Sequence, residues 1–166
     1  VHSPLQTETC ASCHLAHSSD QANLLKTGEV SLCRSCHQVE QASFKAAHRD
    51  YPVQTASCQS CHSPHASVQP KLLKTSTHEP MAKAECMKCH DAAGSQKPFA
   101  VTRSGRDLCL ECHKPSELKA GGETEHPPFT DGKCNSCHNP HASESQALLA
   151  RPGNSLCFSC HVDRNK

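Results

Sequence analysis

The pattern C-x-x-C-H constrains this chain more than any other feature of its sequence. It occurs seven times in 166 residues and uses all fourteen cysteines of the chain. Two thiols followed directly by an imidazole are the attachment signature of a c-type haem, in which the thiols form thioethers and the histidine binds the iron. The sequence therefore predicts seven covalently bound haem c groups.

We number the predicted sites 1 to 7 in chain order. The thioether cysteines, two for each site in turn, are Cys10, Cys13, Cys33, Cys36, Cys58, Cys61, Cys86, Cys89, Cys109, Cys112, Cys134, Cys137, Cys157 and Cys160. The proximal iron ligands, one for each site, are His14, His37, His62, His90, His113, His138 and His161. The spacing is the same at every site because both thioethers must reach one porphyrin edge while the imidazole reaches the iron.

Cysteine-rich chains are also built as disulfide scaffolds or around zinc ions. A disulfide scaffold gives no reason for a histidine directly after every second cysteine. Zinc sites combine one CxxC pair with a second pair of ligands and do not need seven copies of one pentapeptide. Since no cysteine lies outside the seven motifs, the pattern favours haem over both alternatives.

Seven further histidines lie outside the motifs, one for each predicted haem. Some precede a motif by eight or ten residues, and the others follow a proximal histidine by three. They are His2, His17, His48, His65, His78, His126 and His141. A single histidine is more often an ordinary surface or core residue, but the matching count and repeated offsets indicate bis-histidine iron at every site.

The offsets also suggest which site each of these histidines serves. We expect a histidine that precedes a motif to bind the iron of that motif, so sites 1, 3, 4 and 6 receive His2, His48, His78 and His126. The CHxxH histidines would serve sites 2, 5 and 7, which receive His17, His65 and His141. Since three residues span at most about 10 Å, a CHxxH segment that binds two irons must hold them close together.

The composition cannot supply an ordinary hydrophobic core. The chain has no Trp, one Tyr and four Phe, and small chains already bury too little surface. We therefore expect a mostly irregular fold with short α-helices and no significant β-sheet, in which the haems form the interior. Helices are predicted over residues 18–25, 38–48 and 80–90, turns at Gly28, Gly105 and Gly153, and haem packing for the Leu-Leu pairs.

Internal repeats organise the chain. Residues 10–37 align with residues 134–161 without a gap, so the two motifs within each of these stretches have the same separation. We expect one domain over residues 1–166. Its internal units would carry two, one, two and two sites, over residues 2–47, 48–77, 78–125 and 126–166.

Charge and targeting features indicate an exported protein that does not bind nucleic acid. The formal charge is +1, but ionised haem propionates would bring it to about −6 when oxidised and about −13 when reduced. Thioether attachment takes place outside the cytoplasm, and the start of the chain has no signal-peptide pattern. We therefore expect a mature, soluble, periplasmic or extracellular form without a transmembrane segment.

The arrangement CxxCHxxH…LL…CxxCH resembles the doubled-CxxCH family of multihaem cytochromes, which includes pentahaem and decahaem electron-transfer proteins. The histidine eight residues before a motif is similar to that of cytochromes c3 and c7, where it binds the haem that follows. The resemblance covers nearly the whole chain and implies an irregular, haem-packed fold and an electron-transfer function. Seven haems and the single-motif unit depart from those members, so no partner is implied.

Three functions follow as hypotheses. The first is a non-catalytic electron carrier that exchanges electrons with redox proteins or extracellular acceptors, as in anaerobic respiration. The second is a subunit of an extracellular filament, because the first and last motifs lie near the termini and His2 could bind a haem of a neighbouring copy. The third is a multihaem reductase, which needs an open iron site; no CxxCK motif occurs and no histidine is lacking, so we expect no enzyme activity.

Overall fold

The computed structural model describes residues 1–118 and 123–162 of the chain. The α-helices in these ranges have four to six residues each and are Pro4–Thr7, Glu29–Arg34, Ala42–Ala47, Glu79–Ala82, Arg106–Leu110, Pro115–Leu118, Pro127–Thr130 and Asn154–Cys157. Single 3-10 turns lie between them, at Cys10–Ser12, Ala22–Leu24, Val53–Thr55, Cys58–Ser60, Pro70–Leu72, Cys86–Lys88, Cys134–Ser136 and Gln146–Leu148. The rest of the backbone is largely irregular, which confirms the predicted fold class.

The sheet in the described residues consists of two strands of two residues each. Ser76–Thr77 pairs antiparallel with Ala142–Ser143, and Ser76 lies opposite Ser143. Ala142 and Ser143 are both buried. This short pairing joins the segment before site 4 to the segment after site 6, which is the longest-range backbone connection that a strand makes in this part of the chain.

The predicted helices are shorter than the sequence indicates. The segment 18–25 forms only the 3-10 turn Ala22–Leu24, in which Asn23 has a left-handed φ of 58°. The helix that contains Pro80 ends at Ala82, because Ala84 has a φ of 55° that a right-handed helix cannot continue. The helix predicted over 38–48 is Ala42–Ala47. None of the helices in the described residues is long and apolar enough to cross a membrane.

The polypeptide has almost no interior of its own. Its buried apolar side chains, in the part that the structure describes, are those of Val39, Tyr51 and Ala142. The chain exposes 12061 Å² of surface for a mass of 17.9 kDa, whereas a folded protein of that mass exposes about 8,000 Å². The excess surface fits a chain that wraps large apolar groups rather than one that packs on itself.

Tyr51 makes a contact between the first three sites and the last four. Its side chain is 4% exposed, and its hydroxyl donates a hydrogen bond of 2.6 Å to the carbonyl of Asp91, directly after the proximal histidine of site 4. Burial, followed by the nearby Cys86 and Asp91, raises the pKa of this phenol. The hydroxyl therefore stays protonated and able to donate.

Two of the glycines predicted to form turns have a backbone conformation that favours glycine. Gly105 has φ 60° and ψ −138° directly before the helix Arg106–Leu110, and Gly153 has φ 50° and ψ −138° directly before Asn154–Cys157. An L-residue is strained in this region. Each of these helices carries the first cysteine of a motif, so the glycine sets the direction from which that motif enters.

Replacing Gly105 with Ala should lower the free energy of unfolding by about 1–3 kcal/mol, the cost of backbone strain at a positive φ. An added Cβ would meet no atom within 4 Å, so a clash would not contribute. Gly94→Ala is the matched control, since it also has open space and does not have a positive φ. Guanidinium titration of the haem-loaded proteins measures both, and equal stabilities would contradict the assignment of strain to Gly105.

Candidate functional site

All seven CxxCH motifs close into the same local turn. In each, the backbone N–H of the histidine donates to the carbonyl of the first cysteine over 2.9–3.0 Å. At sites 1, 3, 4 and 6 the motif begins with a 3-10 turn, whereas at sites 2, 5 and 7 the first cysteine lies in the last two residues of a short α-helix. All fourteen thiols are free rather than joined as disulfides.

Six of the proximal histidines face a second histidine from outside the motifs. The distances between ring centres are 6.0 Å for His14 and His65, 6.0 Å for His37 and His2, 6.4 Å for His62 and His48, 5.8 Å for His90 and His141, 6.1 Å for His113 and His78, and 6.0 Å for His161 and His126. The ring planes are within 29° of parallel except at site 3, where they cross at 63°. The same spacing thus recurs at six separate places in the fold.

This spacing fits an iron bound between each pair of rings. An imidazole nitrogen binds a transition metal at about 2.0–2.1 Å, so two ligands on opposite sides hold their nitrogens about 4 Å apart and their ring centres about 6 Å apart. The Nε2 atoms of His90 and His141 are 3.5 Å apart, so these two rings point nitrogen to nitrogen. Direct packing of two unliganded rings would not require this arrangement six times.

Backbone carbonyls fix the orientation of four proximal histidines. The Nδ1–H group of each donates over 2.7–3.1 Å to the carbonyl nine residues further along, at Asn23 for site 1, Lys71 for site 3, Phe99 for site 4 and Ala147 for site 6. A proton held on Nδ1 leaves Nε2 unprotonated and available to a metal.

The acceptors at sites 1, 3 and 6 lie in strained backbone. Asn23, Lys71 and Ala147 have φ values of 53–58°, and each is followed by a leucine that is also left-handed. Such residues cost about 1–3 kcal/mol each and are typical of functional sites. The Leu-Leu pairs therefore have a backbone role that we did not predict. Every residue has a backbone carbonyl, so the sequence does not mark which carbonyl accepts the bond. The constant offset from the proximal histidine to the Leu-Leu pair could still have indicated a repeated turn at this place.

Burial favours the neutral form of two of these facing histidines. It is the largest cause that lowers the pKa of His62 and of His141, and neighbouring histidines lower both values further. The hydrogen bond to the Lys71 carbonyl opposes this effect at His62. Because neutral imidazole is the form that binds iron, both side chains are suited to that task near neutral pH.

The structure agrees with only one of the seven pairings expected from sequence offsets. His48 faces the proximal histidine of site 3, as expected. His2, His78 and His126 face sites 2, 5 and 7 instead of sites 1, 4 and 6, and so reach the second motif after them rather than the first. His65 faces site 1 rather than site 5, and His141 faces site 4 rather than site 7.

The pairings differ from those expected because each contact between two units joins one histidine from each unit. The backbone N–H of His2 donates to the carbonyl of His65 over 2.8 Å, and its Nδ1–H donates to the carbonyl of Pro64 over 2.9 Å. His78 makes the same two bonds to His141 and Pro140, over 2.9 and 3.0 Å. Sequence spacing along one segment cannot show such a contact, since its two sides lie in different units of the chain.

Two predicted ligands remain without a facing imidazole in residues 1–118 and 123–162. His17 was expected at site 2, but His2 occupies that place. His138, the proximal histidine of site 6, has its Nδ1–H bonded to Ala147 at 2.7 Å and is exposed. No ring is placed opposite it among the described residues, although a ring faces each of the other six proximal histidines.

Thiols of successive sites lie next to each other. Burial, followed by the adjacent thiol of Cys58, raises the pKa of Cys33 to about 11, which puts sites 2 and 3 in contact. Burial and the Cys134 thiol raise the pKa of Cys109 in the same way, which joins sites 5 and 6. The porphyrin edges attached at sites 2 and 3, and those at sites 5 and 6, would therefore adjoin.

The described residues do not gather into a zinc site. Within them, no three His, Cys, Asp or Glu side chains converge on a point where they could hold a metal ion. A structural zinc site needs four such ligands. The imidazoles are instead arranged two by two, which suits a haem iron held between two histidines.

Comparison with protein families gives a match over most of the chain. The model of the family described as doubled CXXCH motif matches residues 2–42, 51–77, 78–118 and 126–166. No curated protein matches the chain. The family match covers most of the chain and includes all seven motifs.

Replacing His2 with Ala should open the iron of site 2 and leave site 1 six-coordinate. We expect one new high-spin ferric signal per chain in the EPR spectrum of the haem-loaded protein, because one axial imidazole is lost. The signal should persist when Cys10 and Cys13 are both replaced with Ala, and disappear when Cys33 and Cys36 are. If the signal instead disappeared without Cys10 and Cys13 and persisted without Cys33 and Cys36, His2 would serve site 1, as the sequence offsets indicate.

Proposed function

This chain belongs to the doubled CXXCH motif family, multihaem c-type cytochromes with covalently bound haem, and on that premise we propose that it carries seven haems and relays electrons along them. The observation that supports this most directly is the set of six imidazole pairs with ring centres 5.8–6.4 Å apart. Each bound haem supplies one-electron exchange between ferric and ferrous iron. The protein supplies attachment, orientation and spacing.

The axial ligands that we propose are the proximal histidines and the histidines that face them. At the six paired sites two imidazoles would hold the iron and leave no open position for a substrate, and on that ground we infer an electron carrier rather than an enzyme. Axial imidazole, unlike methionine, does not raise the potential of the iron. The hydrogen bond from Nδ1–H to a carbonyl increases the basicity of the bound nitrogen in the same direction. We therefore infer low potentials.

The CHxxH segments set the distance between particular sites. His62 belongs to site 3 while His65 faces site 1, and three residues separate them by at most about 10 Å. In the same way His138 belongs to site 6 while His141 faces site 4. Electron tunnelling falls steeply with distance, so these short tethers support electron transfer from site 1 to site 3 and from site 4 to site 6.

The two halves of this path meet between sites 3 and 4. The Cys61 and Cys86 thiols are close enough to interact electrostatically, and the Tyr51 hydroxyl bonds to the backbone next to site 4. Tyr51 would thus hold the middle step at a fixed separation. We infer that electrons can cross the whole chain through this contact.

We further propose a periplasmic or extracellular location and an acidic holoprotein, as thioether attachment and the propionate charges imply. Redox proteins or extracellular electron acceptors would be its partners. A second candidate function, a subunit of a cytochrome filament, is favoured by one observation: the proximal histidine of site 6 has no facing imidazole in the described residues. The relay would then continue from one copy to the next.

Intact-mass measurement of the purified holoprotein should give seven haems per chain. Replacing Cys58 and Cys61 with Ala should remove one haem and slow electron transfer across a protein film, because site 3 lies in the middle of the path. Replacing Cys157 and Cys160 with Ala is the matched control, since it removes one haem from the end. A haem count below seven in the wild type, or equal rates in the two variants, would contradict the proposal.

A further inference from the structure

The two histidines left without a facing ring belong to one recurring kind of contact between units. At the first contact, His2 binds the backbone of Pro64 and His65, while the ring of His65 faces site 1. The ring of His2 itself faces site 2. One unit thus contributes two sites, and the CHxxH segment of another unit completes the first of them.

The second contact repeats the first in the later part of the chain. His78 binds the backbone of Pro140 and His141 and faces site 5, while the ring of His141 faces site 4. Here the adjoining strands Ser76–Thr77 and Ala142–Ser143 add backbone pairing. The Thr75 hydroxyl also donates to Glu144 over 2.8 Å, and this bond is the largest cause that lowers the pKa of Glu144.

The last unit, residues 126–166, also carries two sites. Within the described residues, no CHxxH segment of another unit completes the first of them. His126 precedes site 6 by eight residues, as His78 precedes site 4, and it faces site 7 as His78 faces site 5. Unlike His2 and His78, His126 has neither its backbone N–H nor its Nδ1 bonded to a carbonyl among the described residues. Its side chain is exposed.

The first unit has a CHxxH segment that faces no site within the described residues. His17 follows the proximal histidine of site 1 by three residues, as His65 and His141 follow theirs, and it is exposed. Ser18 and Ser19 follow it where Ala142 and Ser143 follow His141. Ser18 is exposed and Ser19 half-buried, as Ala66 and Ser67 are after His65. The segment has the sequence and position of the acceptor side of the contact, without its partner.

We propose that His17 of one copy of this chain binds the site 6 iron of the preceding copy, opposite His138. The proposal rests on the proposed haem-relay function. His126 of the preceding copy would donate to the carbonyls of His17 and Ala16, as His2 and His78 donate to the corresponding carbonyls within the chain. His2, the histidine first considered for a neighbouring copy, lies instead beside His37 of its own chain.

This contact joins different surfaces of the two copies. The first CHxxH segment of one copy contacts the last unit of the preceding copy. In a pair of copies, one copy therefore still has a free CHxxH segment and the other still has a free last unit. Such a head-to-tail interface continues into an open filament unless its rotation closes a ring. It also brings site 1 of one copy next to site 6 of the preceding one, since His14 and His17 are three residues apart.

Replacing His17 with Ala tests the proposal in the haem-loaded protein. We expect association of copies to weaken at least about 30-fold, the effect of losing an interface hot spot, as measured by sedimentation. EPR of the variant should show one high-spin iron per chain, from site 6. Association equal to that of the wild type, or a fully low-spin spectrum of monomeric H17A, would overturn the proposal.

His65→Ala is the matched control, because it opens site 1 within the chain. It should give the same high-spin signal as His17→Ala while association is retained. Loss of association in both variants would show that an open iron alone disrupts assembly, and would overturn the assignment of the contact to His17.

A mixing experiment locates the ligand across copies. The H17A variant keeps site 6, and a variant with Cys134 and Cys137 replaced by Ala keeps His17 but lacks the site 6 haem. We expect each variant to be monomeric alone. The mixture should form dimers that contain one copy of each variant, and the high-spin signal of H17A should disappear in them. A mixture that stays monomeric would overturn the proposal. A count of seven haems in H17A would leave the relay proposal standing in that case.

Discussion

The rest of the structure depends on pairs of imidazoles whose ring centres lie 5.8–6.4 Å apart. The chain buries only three apolar side chains in its described part, so little else specifies where one segment lies against another. The backbone nevertheless brings residues as far apart as His14 and His65 to nearly the same separation as His48 and His62. A spacing that suits one metal ion between two nitrogens thus takes the place that a hydrophobic core has in other small proteins.

Backbone carbonyls fix the direction of several of the paired rings. The left-handed turn at Asn23 and Leu24 directs a carbonyl to Nδ1 of His14, and the carbonyl of Pro64 does the same for His2. The tautomer and direction of these two rings are therefore set by hydrogen bonds to the backbone. Strained residues are retained at these turns because they orient a ligand, which is how strain is commonly found at functional sites.

How much could be predicted from the sequence differs between the motifs and their partners. The cysteines and proximal histidines are adjacent in the chain, so their spacing was sufficient to predict a common local geometry for all seven motifs. The short helices were overestimated, because nothing in the composition indicated that Asn23 or Ala84 would adopt positive φ values. His48 faces the proximal histidine of the site that its offset indicated, and both residues lie on one short continuous segment.

Covalent haem attachment and the irregular fold could both be predicted from the order of residues along the chain. The CxxCH motif predicts attachment from five adjacent residues, and the scarcity of large apolar residues predicts an irregular fold. Which histidines meet could not be predicted in this way, since units far apart in the chain contact each other through backbone carbonyls that carry no residue-specific signal. The same docking left His17 and His138 unmatched within the described chain, a fact that counting seven histidines for seven sites had concealed.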